Sequence, residues 1–220
     1  ILGGGQLAQM MALSSIPMGF QFRVFDPSPD ACAQICAEHI CAEYDDEEAL
    51  KKFADGLEVV TYEFENVPTS ALDFLEEHVS IHPNREALRI SQDRLLEKEF
   101  FKKLLLPVEK YWKIDHAEDL AKALEECPEG ILKTRRFGYD GKGQMRLNGG
   151  DAEEIWKEFG EKPAVYEKLV PFDREVSVIA AHNEYGELEI YPLFENRHRD
   201  GILDTTMFPA PDSEKLEKQA

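Results

Sequence analysis

The sequence predicts an α/β fold, in which a parallel sheet flanked by helices is followed by a second domain of the α+β class. Strand-like apolar runs alternate with helical stretches up to about Ile81, a pattern typical of a parallel sheet. From Pro107 onward, short strands and hairpins surround glycines, and one amphipathic stretch covers Ala117 to Glu126. We therefore predict an N-terminal α/β domain, a helical connector and an α+β domain over residues 1–83, 84–106 and 107–220.

The elements of the first domain follow from local patterns. An apolar start runs into Gly3-Gly4-Gly5, and helical spacing of apolar residues over 7–13 predicts a helix directly after the glycines. Residues 22–25 read as a strand, and residues 57–61 as a later one. The acidic run 45–48 is typical of a helix N-cap with acids in the first turn, so we interpret it as capping and not as a metal site.

The connector has a strongly helical composition from Glu86 to Leu106 and is bounded by Pro83 and Pro107. Proline disfavours a helical conformation in the residue before it, so the second proline predicts the end of the helical stretch. We place the domain boundary in this connector.

Composition excludes several functional classes. With 220 residues, 43% of them hydrophobic, the chain can bury a substantial core. Its formal net charge is −19 and its pI about 4.7, so we expect no nucleic-acid partner and no binding to anionic membranes. No apolar run approaches the roughly 20 residues that span a bilayer, and no leader pattern precedes the first domain. We expect a cytoplasmic protein.

The cysteines and histidines predict no metal site in this chain. The four cysteines lack a Cys-x-x-Cys spacing, and the six histidines lack a His-Glu-x-x-His pair. We interpret the cysteines as reduced, partly buried thiols.

The segment Ile131–Gln144 indicates phosphate chemistry. Lys133 ends a short apolar run, and a loop with glycines at 138, 141 and 143 follows it. Glycines allow backbone N–H groups to turn toward an anion, and Lys133, Arg135, Arg136 and Lys142 add positive charge in an acidic chain. The alternative is a hairpin with a type I′ turn at Asp140-Gly141. The order of residues is not that of a Walker A loop.

Lys133 and the glycine loop resemble the ATP-grasp enzymes, and more narrowly the N5-carboxyaminoimidazole ribonucleotide synthetase family. Further segments similar to that family appear in order along nearly the whole chain. They begin at Gly3, Tyr62, Asp93, Tyr166, Phe172 and Tyr191. The resemblance implies a Rossmann-like N-terminal domain followed by an ATP-grasp domain that is truncated at its C-terminus.

The resemblance also implies a reaction. Bicarbonate would attack the γ-phosphate of ATP to form carboxyphosphate, which then carboxylates the amine of 5-aminoimidazole ribonucleotide in purine biosynthesis. Phosphoryl transfer of this kind uses positioned cations and Mg²⁺. The implied cofactors are ATP and Mg²⁺, and family members are typically homodimers.

The resemblance assigns candidate residues to the nucleotide site. Lys133 and Arg94 would meet the phosphates, the backbone at Lys168 to Val170 the adenine, and Glu175 the ribose hydroxyls. The full set of nucleotide-binding candidates is Arg94, Lys133, Gly138, Tyr139, Asp140, Gly141, Lys142, Gly143, Gln144, Glu167, Lys168, Leu169, Val170, Glu175 and His198.

Substrate and catalytic candidates come from the same resemblance. Gln6 and Leu7 would lie at the phosphate end of the ribonucleotide, and Glu63 would approach the ribonucleotide itself. Asp140 would orient the substrate amine or accept its proton, and Lys142 is the second catalytic candidate.

Each of these residues also has a structural interpretation. Asp140 suits a turn, and His198 could be a lone surface histidine. Arg94 could be a helix-surface arginine paired with Glu97 or Glu99. Three glutamates, at 63, 167 and 175, could be exposed residues of strands or turns.

Two other functions remain open at this point. Gly3-x-Gly5-x-x-Ala8 with Asp26 further on fits a dinucleotide-binding fingerprint, which would favour an NAD-dependent dehydrogenase. Another ATP-grasp carboxylate–amine ligase, or a regulatory nucleotide sensor, would also use the second glycine loop. Gln9 stands where the family usually has arginine, which leaves a phosphate-binding role for that position in doubt.

The family continues beyond the point that corresponds to Ala220. Its acidic Mg²⁺ ligands, a further substrate motif and a third domain are expected there. We therefore expect residues 1–220 alone to lack carboxylase activity and to aggregate through unpaired strand edges.

Overall fold

The computed structural model describes residues 1–138, 142–183, 185–199 and 201–218. The chain divides into two compact units, Ile1–Val108 and Glu109–Ala220. No helix in the described ranges is both long and apolar enough to cross a membrane.

The first unit is an α/β structure built on short parallel strands. The strands are β1 (Arg23–Phe25), β2 (Glu38–Ile40), β3 (Val59–Val60) and β4 (Ser80–Ile81). Strand β1 pairs with β2, and β3 with β4, both in parallel. The helices are α1 (Gln6–Ser15), α2 (Glu47–Ala54), α3 (Thr69–Glu76), α4 (Arg85–Ser91) and α5 (Arg94–Lys103), with short 3₁₀ helices at Ile16–Met18 and Cys32–Ile35.

Leu2 joins the two strand pairs. It forms parallel bridges to Phe25 on one side and Tyr62 on the other, and its N–H donates to the carbonyl of Thr61 at 2.8 Å. Glu63 N–H donates in turn to the carbonyl of Leu2 at 3.1 Å. The chain start therefore lies centrally in the parallel arrangement. The predicted parallel sheet is confirmed.

Leu2 is also part of the main core of this unit. Its side chain is fully buried in one cluster with Phe25 of β1, Phe53 of α2, and Leu72 and Leu75 of α3. Burial of large apolar side chains such as these supplies most of the stability of a domain of this size.

Two local predictions for the first unit can be compared with the structure. The acidic run is a helix cap as predicted, because the Asp46 carboxylate accepts a hydrogen bond from Ala49 N at 2.9 Å. The helical stretch from Glu86 onward is not continuous. It divides into α4 and α5 at Asp93, whose carboxylate accepts from the N–H groups of Leu95 and Leu96 and so starts a new helix.

The second unit begins with an antiparallel sheet covered by two helices. Its strands are β5 (Tyr111–Ile114), β6 (Glu129–Thr134), β7 (Gln144–Asn148) and β8 (Ala164–Lys168), in the order β5-β8-β6-β7. Helices α6 (Ala117–Glu126) and α7 (Ala152–Glu158) pack on it around a buried cluster that includes Leu120, Leu132 and Trp156. The predicted amphipathic helix from Ala117 to Glu126 is confirmed.

The remaining strands form two smaller sheets. They are β9 (Glu175–Ser177), β10 (Ala180–His182), β11 (Leu188–Ile190), β12 (Phe194–Arg199) and β13 (Ile202–Met207). Strands β13, β12 and β9 form one antiparallel sheet, and β10 pairs with β11. Most of their residues are exposed, including apolar side chains such as Leu188, Ile190 and Leu203.

Tyr166 packs at the centre of the four-stranded sheet. It is fully buried, and its hydroxyl donates to the carbonyl of Cys127 at 2.9 Å. Gly130 allows this packing, since a Cβ there would lie 2.6 Å from the tyrosine ring and 2.5 Å from the Glu167 carbonyl. Burial raises the pKa of Tyr166 from its ordinary 10.0 to about 12, with smaller contributions from Cys127 and Glu129.

We predict that Tyr166→Phe lowers the free energy of unfolding by about 1 kcal/mol at neutral pH, because one buried hydrogen bond is lost. The difference from the wild type narrows between pH 10 and 12. In that range the wild-type unfolded state ionises its tyrosine before the folded state does, which lowers wild-type stability. Urea unfolding can be followed by fluorescence of Trp112 and Trp156, both in this unit. If the difference in free energy of unfolding between the wild type and Tyr166→Phe stays constant up to pH 12, the raised pKa of Tyr166 is contradicted.

Candidate nucleotide and substrate sites

A lysine and a buried glutamate face each other on two neighbouring strands of the second unit. Lys133 on β6 donates to Glu167 Oε2 on β8 at 2.6 Å. Ile131 pairs directly with Glu167, so Lys133 is the diagonal neighbour of Glu167 on the same face of the sheet. The Glu167 side chain is 6% exposed and that of Lys133 21%. The interpretation of Glu167 as an exposed strand residue is therefore wrong.

The glycine loop connects two antiparallel strands beside this pair. The described pairing of β6 with β7 ends at Lys133 and Gln144, so the connection is longer than a two-residue hairpin turn. Its described ends are held close, because Thr134 N–H donates to the Gly143 carbonyl at 2.8 Å. Gly143 has φ +71°, a value that favours glycine.

Several predicted loop residues can be placed and others cannot. Gly138 is half-buried, while Lys142 and Gly143 are exposed. The predicted residues Tyr139, Asp140 and Gly141 lie outside the described residues, and so does the alternative turn at Asp140-Gly141.

Strand β8 leads from Glu167 into the segment predicted to meet adenine. Lys168 is the last residue of β8, and its N–H donates to the Lys110 carbonyl at 2.9 Å. Leu169 is half-buried and Val170 is 47% exposed. An exposed apolar side chain such as that of Val170 is suited to contact with a flat aromatic ligand.

A second pair of predicted residues meets on the following sheet. His198 Nδ1 on β12 donates to Glu175 Oε2 on β9 at 2.8 Å. Asn196 is the direct partner of Glu175, so His198 is again a diagonal neighbour on the same face. Both side chains are partly exposed, at 37% for His198 and 44% for Glu175. His198 is therefore not a lone surface histidine.

In the first unit, two carboxylates occupy the N–H groups of the glycine turn. Gly4 N–H donates to Asp26 Oδ2 at 2.7 Å, and Gly5 N–H donates to Glu63 Oε1 at 2.9 Å. A Cβ at Gly3 or at Gly5 would lie 2.8 Å from Glu63 Oε1. The glycines are thus needed for the close approach of a carboxylate.

These contacts argue against the dinucleotide interpretation. A dinucleotide site needs the glycine-turn N–H groups for pyrophosphate and a free acidic side chain for the ribose. Here Asp26 uses one oxygen for Gly4 and the other for Ser28 N–H, at 2.7 Å each. The NAD-dependent alternative is therefore not favoured.

Tyr44 adds an aromatic group to this region. Burial, and then the negative charges of Asp26 and Glu63, raise the pKa of its hydroxyl above the ordinary value. Its ring lies 5.7 Å from that of Phe25. No sequence pattern singled out Tyr44, because its neighbours in space are distant in sequence.

The other predicted residues of the first unit lie on helices. Gln6 and Leu7 form the exposed first turn of α1, while Ala8 is fully buried, which explains why a small residue is needed there. Gln9 is half-buried. Arg94 begins α5, and its Nε atom is buried.

Family models match both units. A ribonucleotide synthetase preATP-grasp domain matches residues 1–92, and an ATP-grasp domain matches residues 99–220. The chain belongs to the ATP-grasp family. The fold class predicted from the sequence is confirmed.

Individual relatives agree with this assignment. The N5-carboxyaminoimidazole ribonucleotide synthase of Pseudomonas aeruginosa is 44% identical over 205 residues, which is 92% of this chain and 57% of that protein. The crystal structure of the corresponding synthetase from Thermus thermophilus superimposes with a TM-score of 0.92 at 45% identity, covering all of this chain and 60% of that one.

A third relative was solved with ligands. The Aspergillus clavatus synthase in complex with ADP and 5-aminoimidazole ribonucleotide has a TM-score of 0.86 at 28% identity, covering all of this chain and 58% of that one. The resemblance inferred from the sequence is confirmed. The chain spans a little under two thirds of the length of these relatives.

We predict that Lys133→Met lowers the free energy of unfolding by about 2 kcal/mol, since it removes the cation paired with a buried carboxylate in the ATP-grasp domain. The double variant Lys133→Met/Glu167→Gln should recover most of the lost stability, because an uncharged amide at position 167 does not need the lysine cation. The two variants can be compared by thermal unfolding followed by circular dichroism.

A matched control is Lys110→Met, whose partner Glu126 is more than half exposed and whose loss should have little effect. If Lys133→Met and the double variant lose the same free energy of unfolding, the Lys133–Glu167 pair is not what stabilises this region.

Proposed function

We propose that the chain forms the ribonucleotide-binding domain and part of the ATP-grasp domain of an ATP- and bicarbonate-dependent enzyme that carboxylates 5-aminoimidazole ribonucleotide. The observation that carries the proposal is the Lys133–Glu167 pair at the base of the glycine connection, in a chain that resembles this synthetase over its whole length. The substrates, cytoplasmic location and homodimeric assembly rest on the resemblance.

The nucleotide would be held from several sides by the ATP-grasp domain. Lys133 contributes a positive charge at the phosphates, and the glycine connection contributes backbone N–H groups. The segment Lys168 to Val170 meets the adenine, and Glu175, oriented by His198, accepts from the ribose hydroxyls.

The chemistry has two balanced steps. A bicarbonate oxygen attacks the γ-phosphorus of ATP, the bond to the β-phosphate oxygen breaks, and ADP leaves as carboxyphosphate forms. The substrate amine then attacks the carboxyl carbon, inorganic phosphate leaves, and Asp140 accepts the amine proton. Both steps depend on exclusion of water, since carboxyphosphate is readily hydrolysed.

Mg²⁺ supplies charge neutralisation in phosphoryl transfer when it is bound. The described residues contain no group of three or more histidine, cysteine, aspartate or glutamate residues that could hold a metal, and the resemblance implies acidic Mg²⁺ ligands in the part of the family that follows the position of Ala220. We therefore assign no step of this chain to the metal.

In the first domain, Glu63 is the proposed contact to the ribonucleotide. The Gly5 N–H orients its carboxylate through Oε1. The second oxygen can accept from a ligand hydroxyl or amine, as a carboxylate has more acceptor sites than one donor fills.

We predict that Lys133→Met and Glu175→Ala each weaken ATP binding by tenfold or more, because each removes a charged hydrogen-bonding group from the ligand. Isothermal titration of the full-length protein measures this effect. Lys157→Met and Glu153→Ala, both at exposed positions of helix α7, are matched controls that should bind as the wild type does. Unchanged ATP affinity in both site variants, or binding of NADH in place of ATP, would exclude the assignment.

We predict that phosphate release from ATP with bicarbonate requires 5-aminoimidazole ribonucleotide. Gly5→Ala should raise the KM for the ribonucleotide several-fold and leave ATP affinity unchanged, because a Cβ there displaces only the flexible end of Glu63. Ser14→Ala, near the C-terminal end of helix α1, is the control. Equal phosphate release with and without the ribonucleotide would favour a nucleotide sensor or another ATP-grasp ligase.

A further inference from the structure

A row of polar side chains crosses the three-stranded sheet at the position of Glu175. In the strand register, Asn196 of β12 is the direct partner of Glu175 on β9 and of Thr206 on β13. Ser177 follows Glu175 by two positions on β9, so its side chain lies on the same face of the sheet. Ser177 and Thr206 are exposed and Asn196 is half-buried, so a ligand that reaches Glu175 also reaches this row.

Two hydrogen bonds join the row, and the chemistry of the amide sets their directions. Thr206 Oγ1 donates to Asn196 Oδ1 at 3.0 Å, since an amide oxygen only accepts. Asn196 Nδ2 donates to Ser177 Oγ at 2.9 Å, since an amide nitrogen only donates. The serine oxygen therefore receives a hydrogen bond, and the serine hydrogen remains to be donated.

The serine hydrogen has no acceptor within the part of the chain that the structure describes. Ser177 makes one side-chain hydrogen bond there, and in that bond it is the acceptor. Because Ser177 is exposed, water accepts this hydrogen when no ligand is bound. Hydrogen bonds in a chain polarise one another, so a hydroxyl at the end of this row is a better donor than an isolated one.

Alternation along the strands keeps a neighbouring ion pair away from the row. The side chain of Glu195, the next residue along β12, lies on the opposite face and pairs with Arg174 at 3.5 Å. Glu175 is held instead by His198, which contacts only Oε2, at 2.8 Å. The face of the row therefore presents the second carboxylate oxygen of Glu175 and the hydroxyl hydrogen of Ser177 to a ligand.

This combination of one acceptor and one donor matches a sugar hydroxyl. A hydroxyl has one hydrogen to donate and two lone pairs that accept, whereas a carboxylate only accepts. A ribose hydroxyl that donates to Glu175 can therefore accept from Ser177. The two residues are about 7 Å apart along the strand, and the glutamate side chain is the longer, so one sugar ring can contact both.

We propose that Ser177 is a ribose-binding residue of the nucleotide site, whose hydroxyl donates to the oxygen of a ribose hydroxyl beside Glu175. Asn196 and Thr206 are positioning residues, because the hydrogen bonds of the row keep the serine hydrogen directed toward the ligand. The inference rests on the proposed function, which places the ribose at Glu175. It adds a donor at a position where the carboxylate only accepts.

The first test compares ATP with 2′-deoxyATP and 3′-deoxyATP by titration calorimetry of the full-length protein. Ser177→Ala should bind ATP about five- to tenfold more weakly than the wild type, as expected for the loss of one hydrogen bond. One of the two deoxy analogues should bind the wild type and Ser177→Ala equally, because it lacks the accepting oxygen. Ser177→Thr keeps the hydroxyl and should bind ATP as the wild type does.

The second test examines the direction of the hydrogen bonds in the row. Asn196→Asp replaces the amide with a carboxylate, which only accepts, so Ser177 donates to it and not to the ligand. Asn196→Asp should therefore weaken ATP binding, and adding Ser177→Ala to it should weaken binding no further.

Thr206→Val removes the donor that orients the amide and should also weaken ATP binding, while Thr206→Ser should restore it. Thr205→Val, on the same strand and the opposite face, is the matched control and should bind ATP as the wild type does.

Each outcome bears on a different part of the inference. Wild-type ATP affinity in Ser177→Ala, with a wild type that binds ATP, overturns the inference and leaves the proposed function standing. An equal loss for ATP and both deoxy analogues also overturns it, because the serine then does not contact a ribose hydroxyl.

Thermal unfolding without ATP separates binding from stability. Ser177→Ala should unfold at the wild-type midpoint, since an exposed hydroxyl is hydrated in both the folded and the unfolded state. A lower midpoint shows a structural hydroxyl and overturns the inference. Additive losses of affinity in Asn196→Asp and Ser177→Ala overturn the positioning role of Asn196. A wild type that does not bind ATP overturns the inference and the proposed function together.

Discussion

The carboxylates of both candidate sites are held by hydrogen-bond donors, and these contacts organise the rest of both sites. In a chain of net charge −19, an unpaired buried carboxylate would be costly. Asp26 and Glu63 are held by glycine N–H groups, and Glu167 by Lys133. Glu195, also buried, is paired with two arginines, at 174 and 197.

The two glycine-rich segments use the same property of glycine for different purposes. In the first unit, the absence of Cβ atoms lets the Glu63 carboxylate approach the turn within hydrogen-bonding distance. In the second unit, it makes room for the Thr134 side chain between Gly138 and Gly143. A glycine motif therefore indicates close approach to a backbone, and the approaching group has to be identified from the structure.

The strand register explains why the candidate nucleotide residues meet in pairs. Lys133 and Glu167 are diagonal neighbours on antiparallel strands, and His198 and Glu175 have the same relation on another sheet. A one-residue shift of either register would place the partners on opposite faces. The buried sheet core around Tyr166 thus sets the geometry of Lys133 and Glu167, since it determines how β6 and β8 pair.

The sequence by itself determined the features that depend on neighbouring residues. The amphipathic helix from Ala117 to Glu126, the Asp46 cap and the lysine before the glycine connection were all recognisable, because helix periodicity and capping act over a few positions. The family resemblance then indicated which residues to examine. It did not indicate that Glu175 and His198 form a pair.

Only the tertiary structure decided which groups meet across the chain. The Gly5–Glu63 contact joins residues 58 positions apart, and Lys133–Glu167 joins residues 34 apart. A distant contact also lies at the break between α4 and α5, where the Gln92 side chain donates to the Val67 carbonyl, 25 positions away. Such contacts depend on sheet order and register, which are set by burial of the whole core and are not encoded in any single segment.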